Sequence, residues 1–240
     1  MGGFKFMPKK AGLALALEEE ARLRREAGAL SVRNSTNVEK EERAAKGYIE
    51  PALAKDRIAI IFDDSVSMRE AKIKDAQQGC IEFLRNCQVN QVACAIYPMN
   101  RKEIAAETDL PKIAALIPFI TVKGSTPLFE TWQNVQTSEI KWTRTIIFSD
   151  GVPDSTALKD TLIQTAVERK VPCDTVYISE INGSSSALLK EIAEKTGGFY
   201  LVFNRNKVNF RDAFKYLSPG LRLQLSDGNF RKALQDGKIK

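Results

Sequence analysis

Histidine is absent from this 240-residue chain. That absence removes Ser-His-Asp and Cys-His catalysis and every imidazole ligand for a metal. Cysteine is scarce, with Cys80, Cys87, Cys94 and Cys173 and no C-x-x-C pair. Zinc-ribbon and thioredoxin-type chemistry therefore have no support. Cys80 and Cys87 are spaced two helical turns apart, roughly 10 Å along an axis, too far to bridge each other. Cys94 and Cys173 fall in or beside expected strands, so four reduced, core-filling thiols are expected. There is no G-x-x-x-x-G-K-[ST] loop and no G-x-S-x-G elbow, which leaves nucleotide hydrolysis and α/β-hydrolase chemistry without their usual signatures. No internal repeat is evident, and no apolar run is long enough to cross a bilayer. At the start of the chain, the run Ala11–Leu17 passes straight into Glu18-Glu19-Glu20 without a small-residue cleavage site, unlike a secretory signal. Phe6 stands where a myristoylation signal wants Ser or Thr. The expectation is a cytoplasmic protein.

What is present is ordinary for a folded protein: 43% hydrophobic and 28% charged residues. The length allows one good-sized α/β domain with appendages. The net charge of +6 is unevenly placed, because nine basic and three acidic residues after Asn204 account for all of it. Such a tail suits an acidic partner or nucleic acid. A solvated helix face is the plainer reading, since the tail lacks the aromatic interleaving of a single-strand-binding groove.

Along the chain, residues 9–30 read as a helix with Leu13 and Leu17 on one side and Arg22, Arg24 and Arg25 among acids. Residues 31–38 are polar turn formers, and a second short helix is expected from Val38 to Gly47. This arm, residues 1–55, suits docking or assembly, because its leucines need cover. From Asp56 the pattern changes. Arg57–Phe62 is an almost wholly apolar strand of the kind buried on both faces. Arg69–Cys87 carries an apolar stripe at helical spacing through Ile73, Ala76, Cys80, Phe83, Leu84 and Cys87. Further strands are expected at Gln91–Tyr97, Arg144–Ser149, Cys173–Ile178 and Phe199–Phe203. Helices are expected at Pro127–Val135, Ala157–Arg169 and Ser184–Thr196, the last ended by Gly197-Gly198. This alternation predicts an α/β fold with a doubly wound, mostly parallel central sheet flanked by helices, over residues 56–204. Residues 205–240 remain as a basic C-terminal helix or tail, suited either to packing on the domain or to binding a partner.

The chemistry-bearing residues gather at strand ends. Asp63, Ser65 and Ser67 form D-x-S-x-S directly after Phe62. Thr126 lies in the loop Gly124-Ser125-Thr126-Pro127, and Asp150 follows the strand ending at Ser149. Carboxylates and hydroxyls are hard oxygen ligands, suited to Mg²⁺ or Mn²⁺ rather than zinc. In doubly wound sheets, ligands bind beyond the carboxyl ends of strands, which is where both acids fall. The set Asp63, Ser65, Ser67, Thr126 and Asp150 resembles the metal-ion-dependent adhesion site (MIDAS) of the von Willebrand factor A (VWA) family, in the family's order. Val66 and Ser125 stand where that family often has glycine. The resemblance implies a Rossmann-like VWA fold. It also implies direct ligation by Ser65, Ser67 and Thr126, with Asp63 and Asp150 acting partly through water. Asp64 and Asp154, beside the motif, either tune metal affinity or are ordinary polar loop residues.

The resemblance implies a non-enzymatic binding module in which the cation captures an Asp or Glu of a protein partner. It further implies an adaptor in an intracellular multiprotein complex, of the kind found beside MoxR-type AAA+ ATPases. A second reading is a structural protein assembled through its arm and basic tail. A third is a Mg²⁺-dependent phosphatase. Asp63-Asp64-Ser65 only partly resembles the D-x-D of haloacid-dehalogenase-type enzymes, because Ser65 replaces the second acid.

Overall fold

The computed structural model describes residues 56–69, 71–90, 92–101, 109–150, 152–179, 186–204, 214, 216–219 and 222–236. The helices and linker expected within residues 1–55 lie outside these.

Five strands form one sheet: β1 (Arg57–Phe62), β2 (Ala93–Pro98), β3 (Arg144–Ser149), β4 (Cys173–Ser179) and β5 (Tyr200–Asn204). All four pairings are parallel, in the order β2-β1-β3-β4-β5. Six helices are present among the described residues: α1 (Ala71–Val89), α2 (Leu110–Leu116), α3 (Leu128–Thr137), α4 (Lys159–Glu168), α5 (Ala187–Thr196) and α6 (Gly228–Gln235). The doubly wound parallel sheet expected from the alternating pattern is therefore the observed architecture. Before the Gly124 loop, α2 is followed directly by a 3-10 turn at Ile117–Phe119. Asp109 caps α2 by accepting from the Lys112 amide, and Pro111 sits in its first turn.

Both faces of the sheet are covered, so β1 after Arg57 and the middle of β3 are apolar. Ile58, Ile60 and Phe62 point to one face and join the stripe of α1. Ala59 and Ile61 point to the other, toward Trp132 of α3 and Leu162 of α4. All four cysteines are buried free thiols. The described C-terminal residues belong to the first of these cores. Phe214 stacks on Phe148 with ring centroids 4.2 Å apart, and Leu217, Leu225 and Leu234 are fully buried. Much of what reads as a charged tail is thus a cover for the sheet. A second device holds it there: Arg222, with Arg144 of β3, pairs with the buried Asp174 of β4.

The strand order decides where a ligand can sit. Successive connections leave β1 toward β2 on one side and reach β3 on the other. The order therefore reverses between β1 and β3, and the crevice of such a sheet opens beyond their carboxyl ends. Asp63 follows β1 and Asp150 follows β3.

Candidate metal centre

Parallel pairing of β1 with β3 matches Phe62 to Phe148, and the ladder continues one bond further, from the Asp63 amide to the Phe148 carbonyl at 3.1 Å. Asp63 is thereby seated beside Ser149, whose Oγ donates to Asp63 Oδ2 at 2.6 Å. The other carboxylate oxygen accepts the Ser65 amide at 2.9 Å and folds the loop back over the strand end. Ser65 Oγ and Ser67 Oγ are 2.8 Å apart, and Ser67 Oγ donates to Asp150 Oδ1 at 2.6 Å. Four of the five expected residues thus share one continuous hydrogen-bonded chain.

Thr126 is brought to the same edge by backbone contacts. Its loop meets the first through Val66, whose amide reaches the Gly124 carbonyl at 3.3 Å. The Thr126 amide donates to Asp154 Oδ1 at 3.0 Å, and its carbonyl accepts the Asp154 amide. The residue is buried, and no side-chain bond ties it to the other four. Asp154 therefore acts as a clamp on the Thr126 loop.

Asp64 has a comparable organising task. It is fully buried. Its Oδ1 accepts the Asn100 amide at 2.9 Å and Asn100 Nδ2 at 3.1 Å, and its carbonyl accepts the Lys123 amide. Asn100 Nδ2 also reaches the Ser125 carbonyl at 2.8 Å. Three loops are held in register by this pair. Gly124 makes the approach feasible: its φ is +68°, and a Cβ there would lie 2.5 Å from Asn100 Oδ1. The Oδ2 atom of Asp64 is buried with no hydrogen-bond partner.

Burial pushes the Asp63 carboxyl above its ordinary range. Hydrogen bonds from Ser149 and Ser65 oppose the shift, and Asp150 adds to it. Burial likewise raises Asp64, against the bonds from Asn100. A raised carboxyl binds protons more tightly folded than unfolded, so its charged form opposes folding as pH rises through that range. Asp63→Asn is therefore expected to raise the melting temperature in EDTA at pH 7, by about 2–4 °C per kcal/mol relieved. The gain should vanish as pH falls and Asp63 itself takes up a proton. Scanning fluorimetry between pH 4.5 and 8 checks this, and a destabilised variant at pH 7 would contradict it.

Three participants were not legible as functional from sequence. Ser149 ends the expected strand Arg144–Ser149, but nothing local marks its hydroxyl. Asn100 carries no signal at all. Lys72 is the third: its ammonium pairs with Asp150 Oδ2 and donates to the Ser67 carbonyl at 3.1 Å. A lysine in the first turn of a helix, against the macrodipole, was the available hint.

The donor set suits a hard divalent cation: two carboxylates and three hydroxyls supply oxygen only. Among the described residues no cluster of three or more His, Cys, Asp or Glu is arranged to hold a metal, so a centre here depends on the hydroxyls. A cleft of about 510 Å³ lined by Arg57, Trp142 and Arg169 opens elsewhere, around the amino ends of β1 and β3, away from these residues.

Solved structures bear on the fold. A crystal structure of proximal thread matrix protein 1 from the mussel byssus aligns over 69% of this chain and 44% of its own, with a TM-score of 0.52 and 14% identity. The fold is VWA-like. A second crystal form of the same mussel protein aligns over 71% and 47%, with a TM-score of 0.49 and 17% identity. At these identities the likeness is one of fold, and the chain spans less than half the length of either structure. No family profile and no curated protein matches the chain. In the VWA-like fold of this chain, the five expected ligand residues occupy loops at a single edge of the sheet.

Proposed function

We propose that the chain is a metal-dependent protein–protein interaction module of the VWA type, serving as an adaptor in a multiprotein assembly. The observation that carries this reading is the hydrogen-bonded chain Ser149–Asp63–Ser65–Ser67–Asp150 at the switch point of the sheet. The ion would be held by Ser65, Ser67 and Thr126, with Asp63 and Asp150 acting partly through water. Bound there, Mg²⁺ or Mn²⁺ supplies a positively charged coordination position for an Asp or Glu of the partner. The chain's own residues fix that position. Asp63 orients Ser65 through its amide, Ser149 holds Asp63, and Asp64 with Asn100 keeps the neighbouring loops at their spacing.

The test is metal binding followed by partner capture. Magnesium at 100 times its Kd is expected to stabilise the wild-type chain by about 2.7 kcal/mol. Asp63→Ala and Thr126→Ala should abolish that gain, and with it the retention of partners recovered from native lysate in Mg²⁺. Partners held equally by wild type and both variants would move the interaction away from this edge. Hydrolysis of a generic phosphoester, present with Mg²⁺ and lost in Asp63→Asn, would establish an enzyme instead.

A further inference from the structure

We infer that Lys72 is a built-in cation that shares Asp150 with the metal and so sets how tightly the centre takes a divalent ion. The inference rests on the reading of the centre as a metal site. Lys72 occupies the first turn of α1, where the partial positive charge of the helix start opposes an ammonium. It is nevertheless drawn inward. The side chain is 20% exposed and the Asp150 side chain 1%. The ammonium pairs with Asp150 Oδ2 and donates to the carbonyl of Ser67, itself one of the expected ligands.

Asp150 is consequently engaged on both oxygens by groups of its own chain, Ser67 Oγ on Oδ1 and Lys72 on Oδ2. Among the described residues, this is the single ion pair made by Asp63, Asp64 and Asp150. Lys72 is thus the countercharge that the chain itself supplies to this edge. A cation that draws on Asp150 must loosen this pair, and it meets like charge from the ammonium that it displaces. A monovalent ion has no charge advantage over an ammonium, whereas a divalent ion does. The pair therefore selects for divalent ions and lowers the affinity with which they bind.

Replacing Lys72 with methionine keeps the aliphatic stem and removes the charge. A charge-assisted hydrogen bond has a net strength equivalent to roughly tenfold to hundredfold in an equilibrium constant. Isothermal titration of the full chain with Mg²⁺ and with Mn²⁺ should therefore show Lys72→Met binding roughly tenfold to hundredfold more tightly than wild type. Lys72→Arg, which keeps the charge, should not gain. The metal-free melting temperature of Lys72→Met should fall, because Asp150 loses its cationic partner and keeps only the Ser67 hydroxyl. Opposite signs in the two measurements separate this role from a structural one, which would lower both. Equal or weaker metal binding by Lys72→Met, with wild-type binding intact, overturns the role of Lys72 and leaves the centre standing. Absence of binding by both proteins at millimolar metal overturns the centre and this inference together.

Discussion

Asp174→Ala is expected to cost about 3–5 kcal/mol of unfolding free energy, the range for removing one partner of a buried ion pair. Asp174 is fully buried in β4, and it satisfies two arginines at once. Arg144 Nε reaches its Oδ2 at 2.6 Å. Arg222 reaches the two carboxylate oxygens at 3.0 and 2.8 Å. The Phe199 amide completes the set at 2.8 Å. Burial alone would raise this carboxyl; Arg144 and Arg222 outweigh it and hold it below the ordinary range. The sign follows. A depressed carboxyl contributes stability that is present above its unfolded value and is lost as pH falls through its folded one.

In the variant, the hydrogen bond left to Arg144 among the described residues is the one to the Leu217 carbonyl at 2.9 Å, and its buried guanidinium faces the like charge of Arg222 without a carboxylate between them. Because Arg222 belongs to the C-terminal segment, its seat on the sheet loosens as well. Urea unfolding at pH 7 and at a series of pH values descending from 4 provides the measurement. The gap between wild type and variant should be widest at pH 7 and narrow in acid. A loss under 1 kcal/mol at pH 7 would mean that the network relaxes or hydrates instead of being stranded.

Gly198→Ala should be comparably damaging, for a reason of space alone. A Cβ at this position would lie 2.0 Å from the Cys173 carbonyl oxygen and 2.4 Å from its carbonyl carbon. Both are backbone atoms at the start of β4, so no side-chain rotation relieves the clash. The Gly198 amide is meanwhile fixed to the Ala193 carbonyl at 2.8 Å, closing the end of α5. Either β4 or the α5–β5 connection must shift. The expected cost lies at or above the top of the roughly 1–3 kcal/mol overpacking range. Gly197 is the control. It has φ +75° but nothing within 4 Å of a Cβ, so Gly197→Ala should lose only about 1–2 kcal/mol for the left-handed backbone. Thermal melts of the two variants decide between steric and conformational causes; equal losses would remove the steric argument.

Sequence patterning reveals what is local and periodic. Arg57–Phe62 and Arg144–Ser149 announce themselves as buried strands because water is excluded from both faces. The stripe of α1 is visible because its apolar spacing matches the helical repeat. Asp63, Ser65, Ser67 and Asp150 stand out because acids and hydroxyls directly follow such strands. Pairings across long sequence separations leave no comparable trace. Asp174 sits in a strand run whose neighbours say nothing of Arg144 or Arg222. The C-terminal leucines lie among charges at spacings that fit neither a clean helix nor a strand, so their burial under the sheet emerges only from the tertiary packing. The strand order that places the switch point between β1 and β3 is also absent from any local pattern.

The rung that joins Asp63 to β3 has a bearing on how such an edge varies. Adjacent strands of any sheet stand about 4.8 Å apart, and Asp63 and Ser149 are neighbours because β1 and β3 are paired. The separation of Asp63 from the β3 edge is thus a property of the ladder, whereas Ser65, Ser67, Thr126 and Asp150 are placed by the loops beyond it. A change in loop length would therefore leave the Asp63–Ser149 contact in place while moving the hydroxyls beyond it.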